Sequence, residues 1–220
     1  MNWSEENASA GEEHVRNTRK NSLKTMEHEA EGYRIDACSS SRGCPNRIHP
    51  ENVLIQELEK KLSARDLKTF LKTYINGPVR KHHEFRVSVS NCPNACSRPQ
   101  IVKFGLIGAC RPMVSEEPCT QCQSCVDACD ERAVSFTEEF ETPIIDMEKC
   151  LACGKCIKVC PTGTLAEEVR GYRVLVDGKL GRHPRLAREL EGIFSAEEVL
   201  ALVDRHLDFF QMNYLVSVQK

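Results

Sequence analysis

Eight cysteines arranged in two runs of one pattern are the chemically decisive residues of this sequence. They read Cys119-x2-Cys122-x2-Cys125-x3-Cys129 and Cys150-x2-Cys153-x2-Cys156-x3-Cys160, the second run followed by Pro161. Thiolates are soft ligands, and this doubled spacing suits paired cubane clusters. Three cysteines of one run surround each cluster, and the fourth crosses over from the other run. On that rule Cys119, Cys122, Cys125 and Cys160 hold one 4Fe–4S cluster, and Cys129, Cys150, Cys153 and Cys156 hold a second. Zinc also accepts four thiolates, but zinc ribbons do not interleave two such runs. Asp130 stands where Pro161 stands in the second run, which alters a turn and removes no ligand.

Four further cysteines form two pairs, Cys38-x5-Cys44 and Cys92-x3-Cys96. Together they offer the number of thiolates one more cubane needs. The pairs lie far apart in sequence, and burial as small apolar thiols is the alternative. Cys110 belongs to no set, and packing is its expected role.

The elements that must carry these residues follow from periodicity. Arg86–Ser90 alternates apolar and polar side chains, the pattern of a half-buried strand starting near Phe85. It runs into Asn91-Cys92-Pro93-Asn94-Ala95-Cys96, where proline and asparagine turn the chain. Pro50 opens a helix with Val53, Leu54, Leu58 and Leu62 on one face. Ser63-Ala-Arg-Asp66 is expected to form a capping box for a second helix carrying Leu67, Phe70 and Leu71, ended by Gly77-Pro78. Further strands are expected at Val102–Ile107 and Tyr172–Val176, with short ones at Val134–Phe136 and Pro143–Ile145. Ser195–Glu198 caps a last helix with Val199, Leu202, Val203 and Leu207 on its apolar face. Helices alternating with strands predict an α+β fold.

The chain has 220 residues, room for one main domain and a small module. Its net charge of −2 and 6% aromatic content give no reason to expect nucleic acid as a partner. Met1–Lys24 has no apolar run of signal-peptide type, and no stretch reaches membrane-spanning length, so no membrane insertion is expected. Thirteen cysteines in such a chain point to metal binding in a reducing cytoplasm rather than to disulfides. Residues 1–33 read as a polar tail, 113–165 as an inserted two-cluster ferredoxin module, and 34–112 with 166–220 as the surrounding domain.

Asn91-Cys-Pro-Asn-Ala-Cys96 with Ile101–Gly108, the four paired cysteines, and the Gly171–Leu186 segment resemble the sirohaem domain of nitrite and sulfite reductases. The likeness extends to dissimilatory-type anaerobic sulfite reductase subunits, which carry a ferredoxin insert. It covers roughly Arg34 to Asn213. It implies a nitrite/sulfite reductase-like half-domain holding a third 4Fe–4S cluster on Cys38, Cys44, Cys92 and Cys96. Cys96 would bridge to the iron of sirohaem. Cations are needed for the sirohaem carboxylates, and the candidates are Arg80, Lys81, Lys179, Arg182, His183 and Arg185, with His82 and His83 beside the first pair. Gly178 and Gly181 would let backbone approach the cofactor.

Relatives commonly place two lysines, one residue apart, on the strand before the cysteine turn, to bind the oxyanion. The corresponding residues here are Glu84 and Arg86, so Arg86 is the catalytic candidate and Glu84 is expected to repel substrate. The half-domain that precedes this one in complete relatives has no counterpart in the polar tail, and the basic C-terminal tail of relatives is also missing. Two functions are therefore expected. The first is a redox protein that reduces sulfite or a similar small inorganic oxyanion at a sirohaem-coupled cluster. The second is an electron-transfer subunit without sirohaem, docked to a partner oxidoreductase or reductase subunit.

Overall fold

Alternation in the strands and four-residue spacing in the helices build one apolar layer between a sheet and three helices. The structure, a computed structural model, describes residues 30–38, 43–49, 53–137 and 141–218, with side chains through 215. The expected helix start at Pro50 and nearly all of the polar tail lie outside the described residues. Five strands form the main sheet in the order β1-β2-β3-β6-β7: β1 Tyr33–Ala37, β2 Phe85–Ser90, β3 Phe104–Val114, β6 Leu165–Val176 and β7 Arg188–Glu189. The first three are parallel, β6 runs against them, and β7 pairs antiparallel with β6 and so runs with the first three.

Phe85, Val87 and Val89 of β2 point inward beside Phe104 and Leu106 of β3 and Tyr172, Val174 and Val176 of β6. Helix α1, Val53–Ser63, lays Leu54, Leu58 and Leu62 on this layer. Helix α2, Leu67–Tyr74, adds Leu67 and Leu71. Helix α5, Ala196–Val218, closes it with Val199, Leu202, Val203, Leu207 and Phe210. Every apolar stripe read from the sequence is on the core side except Val53, which is 53% exposed at the helix start.

Two helix starts differ in kind. Ser195 and Glu198 form the expected reciprocal box: the Ser195 N–H donates to Glu198 Oε2 at 2.7 Å, and the Glu198 N–H donates to Ser195 Oγ at 3.2 Å. Ser63 instead ends α1, its hydroxyl bonded to the Lys60 carbonyl, and Asp66 alone caps α2 by accepting from the Thr69 N–H. Three residues are too few to leave one helix and box the next, so the last hydroxyl turns back on its own helix.

Strands β3 and β6 are longer than their apolar runs predict, because they pair with each other from Phe104↔Val176 to Val114↔Leu165. Register slips between Arg111 and Pro112, where proline has no N–H to offer the ladder. The chain thus leaves the sheet at Val114 and returns at Leu165, and all eight cysteines of the two runs lie between. That segment holds its own ladder, β4 Val134–Ser135 against β5 Ile144–Ile145, and two short helices, α3 Ser124–Asp127 and α4 Lys155–Val159. Strand β1 carries no apolar run that would announce it. It starts at Tyr33, and Ala30 before it is buried with its N–H on the Val79 carbonyl. The sheet therefore begins inside the stretch read as tail. No helix among the described residues is long and apolar enough to cross a membrane.

Candidate iron–sulfur centres

The two cysteine runs adopt one backbone conformation twice. Left-handed residues recur at matching positions: Gln121 (φ 53°), Gln123 (58°) and Arg132 (52°) in the first run, Ala152 (54°), Gly154 (69°) and Gly163 (76°) in the second. For L-residues that region costs on the order of 1–2 kcal/mol each, and four of these six positions are not glycine. The turns aim amides at sulfur. The N–H of Gln121 donates to Cys119 Sγ at 3.3 Å, that of Ala133 to Cys129 Sγ at 3.2 Å and that of Leu165 to Cys160 Sγ at 3.4 Å.

Cys119, Cys122, Cys125 and Cys160 line one cavity, together with Phe136, Pro143 and Leu165. Cys129, Cys150, Cys153 and Cys156 line a second, of about 390 Å³. Each cavity thus gathers three cysteines of one run and the last of the other. None of the thirteen cysteines is in a disulfide, and no three His, Cys, Asp or Glu among the described residues group as ligands of a single ion. Burial, then the charges of Cys153 and Cys150, push the Cys156 thiol up to about 12. Burial also raises Cys125 and Cys150. Cys122 is held down by hydrogen bonds from Ser124. At Cys160 burial pushes up, and bonds from Leu165 and Thr162 outweigh it. Buried thiolates that repel one another need a cationic partner to ionise, and sulfur-directed amides suit an iron–sulfide group. These residues fit such a group.

The remaining pairs also meet. Cys38 follows β1, its N–H on the Val89 carbonyl at 3.0 Å, and its sulfur accepts from the Asn91 N–H at 3.3 Å. Burial raises the Cys92 thiol, and the nearby charges of Cys44, Cys96 and Cys38 raise it further, so the four are electrostatic neighbours. The turn can lie on β3 because Gly105 and Gly108 have no side chains. A Cβ at Gly105 would come within 2.2 Å of the Pro99 carbonyl oxygen, and one at Gly108 within 2.7 Å of the Asn91 oxygen. Cys92 is 8% exposed, whereas Cys96 lies open at the surface.

The cavity of Cys129, Cys150, Cys153 and Cys156 is also lined by Cys92, Pro93 and Asn94, with Pro45 and Asn46. Beside it Ile48, Cys92, Cys110 and Ile157 form one apolar cluster. Cys110 is packed as expected, and it also touches the module: its N–H donates to the Ala152 carbonyl, and its thiol donates to Glu167 Oε2 at 3.3 Å.

The expected cofactor cations divide into two places. Lys179, Arg182, His183 and Arg185 sit on the loop after β6. Lys179 and Arg185 pair through their backbones there, and the Ala187 N–H reaches the Gln100 carbonyl on the limb that follows Cys96. Arg80 and Lys81 stand before β2, on the turn where the Arg80 N–H meets His83 Nδ1 and Tyr214 meets the His83 carbonyl. The length of β2 puts roughly 17–20 Å between that turn and Cys92. Glu84 shares this end. It is 8% exposed, its carboxyl raised by burial against the pull of the Glu31 backbone, Arg34, Lys81 and Arg86. It does not face an open site beside the cysteine turn, because a whole strand intervenes. Arg86 points to the polar face and donates to Asp36 at 2.9 Å, and Asp36 also accepts from Arg34 at 2.7 Å. The sequence does not single out Asp36, and it presents Asn91 as a turn residue of the cysteine motif and not as a holder of the neighbouring limb. The only signals were polar residues at alternate positions of β1 and one at the end of β2.

The model of the 4Fe–4S dicluster domain family matches residues 118–164. Two proteins of Methanocaldococcus jannaschii are similar. A coenzyme F420-dependent sulfite reductase is 38% identical over 125 residues, 57% of this chain and 20% of that protein. An uncharacterized protein is 31% identical over 140 residues, 60% of this chain and 48% of that one. The chain thus spans less than half the length of either relative. Among solved structures, dissimilatory sulfite reductase I shares the fold at 16% identity and TM-score 0.51, over 80% of this chain and 45% of that one. The cysteine-lined cavities, the α+β sheet around them and these likenesses agree: a 4Fe–4S dicluster domain lies between two strands of a sheet whose fold resembles that of sulfite reductases.

Proposed function

We propose that this chain conducts electrons from its dicluster module to a third 4Fe–4S cluster on Cys38, Cys44, Cys92 and Cys96, and delivers them through Cys96 to sirohaem for reduction of sulfite or a similar oxyanion. The single observation that carries the order is the shared cavity, in which Cys129, Cys150, Cys153 and Cys156 face the Cys92–Asn94 turn. The set of Cys119, Cys122, Cys125 and Cys160 is then outermost, with Cys122 open to a donor protein or partner subunit. When bound, the clusters would supply one-electron storage at each position, and sirohaem would supply the iron chemistry that reduces the oxyanion. Ile48, Cys110 and Ile157 keep water from the gap between the second and third sets. Cys96 is exposed where a bridging thiolate is required, and the loop of Lys179, Arg182, His183 and Arg185 offers cations beside its limb. Arg86 lies on the polar sheet face as the substrate-side cation. Sulfite is named because the similar Methanocaldococcus protein is a sulfite reductase.

The second reading, an electron-transfer subunit without sirohaem, is favoured by two observations. Arg86 is neutralised by Asp36, and Arg80 and Lys81 stand at the far end of β2. Anaerobically purified protein separates the two. The first reading expects about twelve iron atoms per chain with matching acid-labile sulfide, a sirohaem band in the red, and sulfite-dependent oxidation of a reduced viologen. Full iron with no red band establishes the second. Stoichiometric zinc without sulfide refutes both.

A further inference from the structure

Asn91, the residue before Cys92, touches all three limbs that carry the third set of thiols. It is 8% exposed. Its side-chain Oδ1 accepts from the His49 N–H at 2.8 Å and the Ile48 N–H at 3.2 Å, and its Nδ2 donates to the His49 carbonyl at 2.9 Å. Its backbone carbonyl accepts from the Ile48 N–H at 3.0 Å, and its own N–H donates to Cys38 Sγ at 3.3 Å. The amide thereby pairs with the limb after Cys44 in both directions, as a strand would, at a point where neither limb is in a ladder.

Other ties on that limb come from elsewhere. Arg170 donates to the Ile48 carbonyl at 2.5 Å, and His49 Nε2 donates to the Gly171 carbonyl at 2.8 Å while its ring stacks on Tyr172. These fix the limb to β6. Asn91 fixes it to the Cys92 turn through its side chain. A buried amide with both ends matched is costly to remove one-sidedly, since its partners are left without bonds.

We propose that Asn91 is the positioning residue of the third cluster: its amide holds the Cys44 limb against the Cys92 turn, so that four thiols far apart in sequence are presented as one set. This rests on the reading that Cys38, Cys44, Cys92 and Cys96 hold a cluster. Outer residues that orient ligands set metal retention and potential as well as geometry.

The test uses the full chain, purified anaerobically, with iron and sulfide analysis and a redox titration followed by electron paramagnetic resonance. Asn91→Leu keeps the size and deletes the bonds, and it is expected to lower iron from about twelve to about eight atoms per chain, the module's two clusters remaining. Asn91→Asp keeps the acceptor of the Ile48 and His49 N–H groups but sets a carboxylate oxygen against the His49 carbonyl and a negative charge beside one cluster, so it is expected to lose less iron than Asn91→Leu and to lower the potential of that cluster alone. A merely structural role would leave the potential unmoved. Full iron in Asn91→Leu with unchanged potentials overturns the proposal. Should the Leu variant lose all iron, Asn91→Asp decides, and full iron with unaltered potentials there also overturns it. Wild type holding iron for only two clusters instead sinks the third-cluster reading itself, a result distinct from the others.

Discussion

The main-chain N–H of Cys110 donates to the carbonyl of Ala152 at 2.6 Å, stitching β3 to the loop that carries Cys153. Gly154 follows with φ +69°, and a Cβ there would meet Cys110 Cβ at 3.1 Å and Sγ at 3.2 Å. Contact between module and sheet therefore depends on a missing side chain at 154 and a small one at 110. Gly154→Val is expected to destabilise by about 2–4 kcal/mol, combining the left-handed cost with overpacking. Faster iron release in denaturant reads it. Adding Cys110→Ala should recover part of the loss, because the sulfur contact goes while the φ and the Cβ contact stay. No recovery at all would show that the strain lies elsewhere.

The two cavities of the module should respond differently to loss of a ligand. Cys122→Ser is expected to impair the outer set, leaving the third cluster reducible by small dithionite. Cys153→Ser strikes the set facing Cys92 and should slow reduction of the third cluster, because Cys92 lines that same cavity. Its effect should spread to the outer set as well, since Cys129 and Cys160 cross between the runs. Stopped-flow spectra of both variants decide, and equal rates would contradict the order of the chain.

His49 predicts an acid sensitivity. Burial lowers its pKa from 6.5, with the charge of Arg170 adding to the effect, although the Gly171 carbonyl pulls the other way. The unfolded imidazole then takes a proton that the folded one resists. Stability is fully present above about pH 6.5 and is lost as pH falls from there through the lowered folded value. His49→Gln, which can keep a donor to Gly171, should flatten melting temperature against pH between about 7.5 and 5.5. His83, also lowered by burial, accounts for a residual slope. An unchanged profile would place the sensitivity at another group.

Asp204 of α5 accepts from Lys61 and, at 3.2 Å, from Arg65, which also meets Asp208 at 2.7 Å. These side chains are about one-third exposed or more, so screening keeps the pairing modest. Asp204→Asn is expected to cost about 0.5–1 kcal/mol. Iron content should not change, because the network lies on the helix layer. A double-mutant cycle with Lys61→Met measures the coupling.

Much of this protein is legible without coordinates. Thiolate spacing is local, so the runs by themselves suggest a division of the eight cysteines into two sets, and the members of each expected set lie in the lining of one cavity. Strand β2, the stripes on α1, α2 and α5 and the Ser195 box also followed from periodicity, which fixes which face of an element is apolar. Tertiary structure decided the rest, because it depends on contacts between distant segments. Strand β1 has too little apolar character to announce itself and exists through its pairing with β2. The extra length of β3 and β6 comes from each other. Glu84 and Arg86 are two residues apart and look like a matched pair in the sequence. Only the fold shows that one is buried at the far end of β2 while the other is bound to Asp36. Spacing assigns ligands within a loop, but which set of thiols faces which is fixed by how Val114 and Leu165 return the module to the sheet, and by the amide of Asn91.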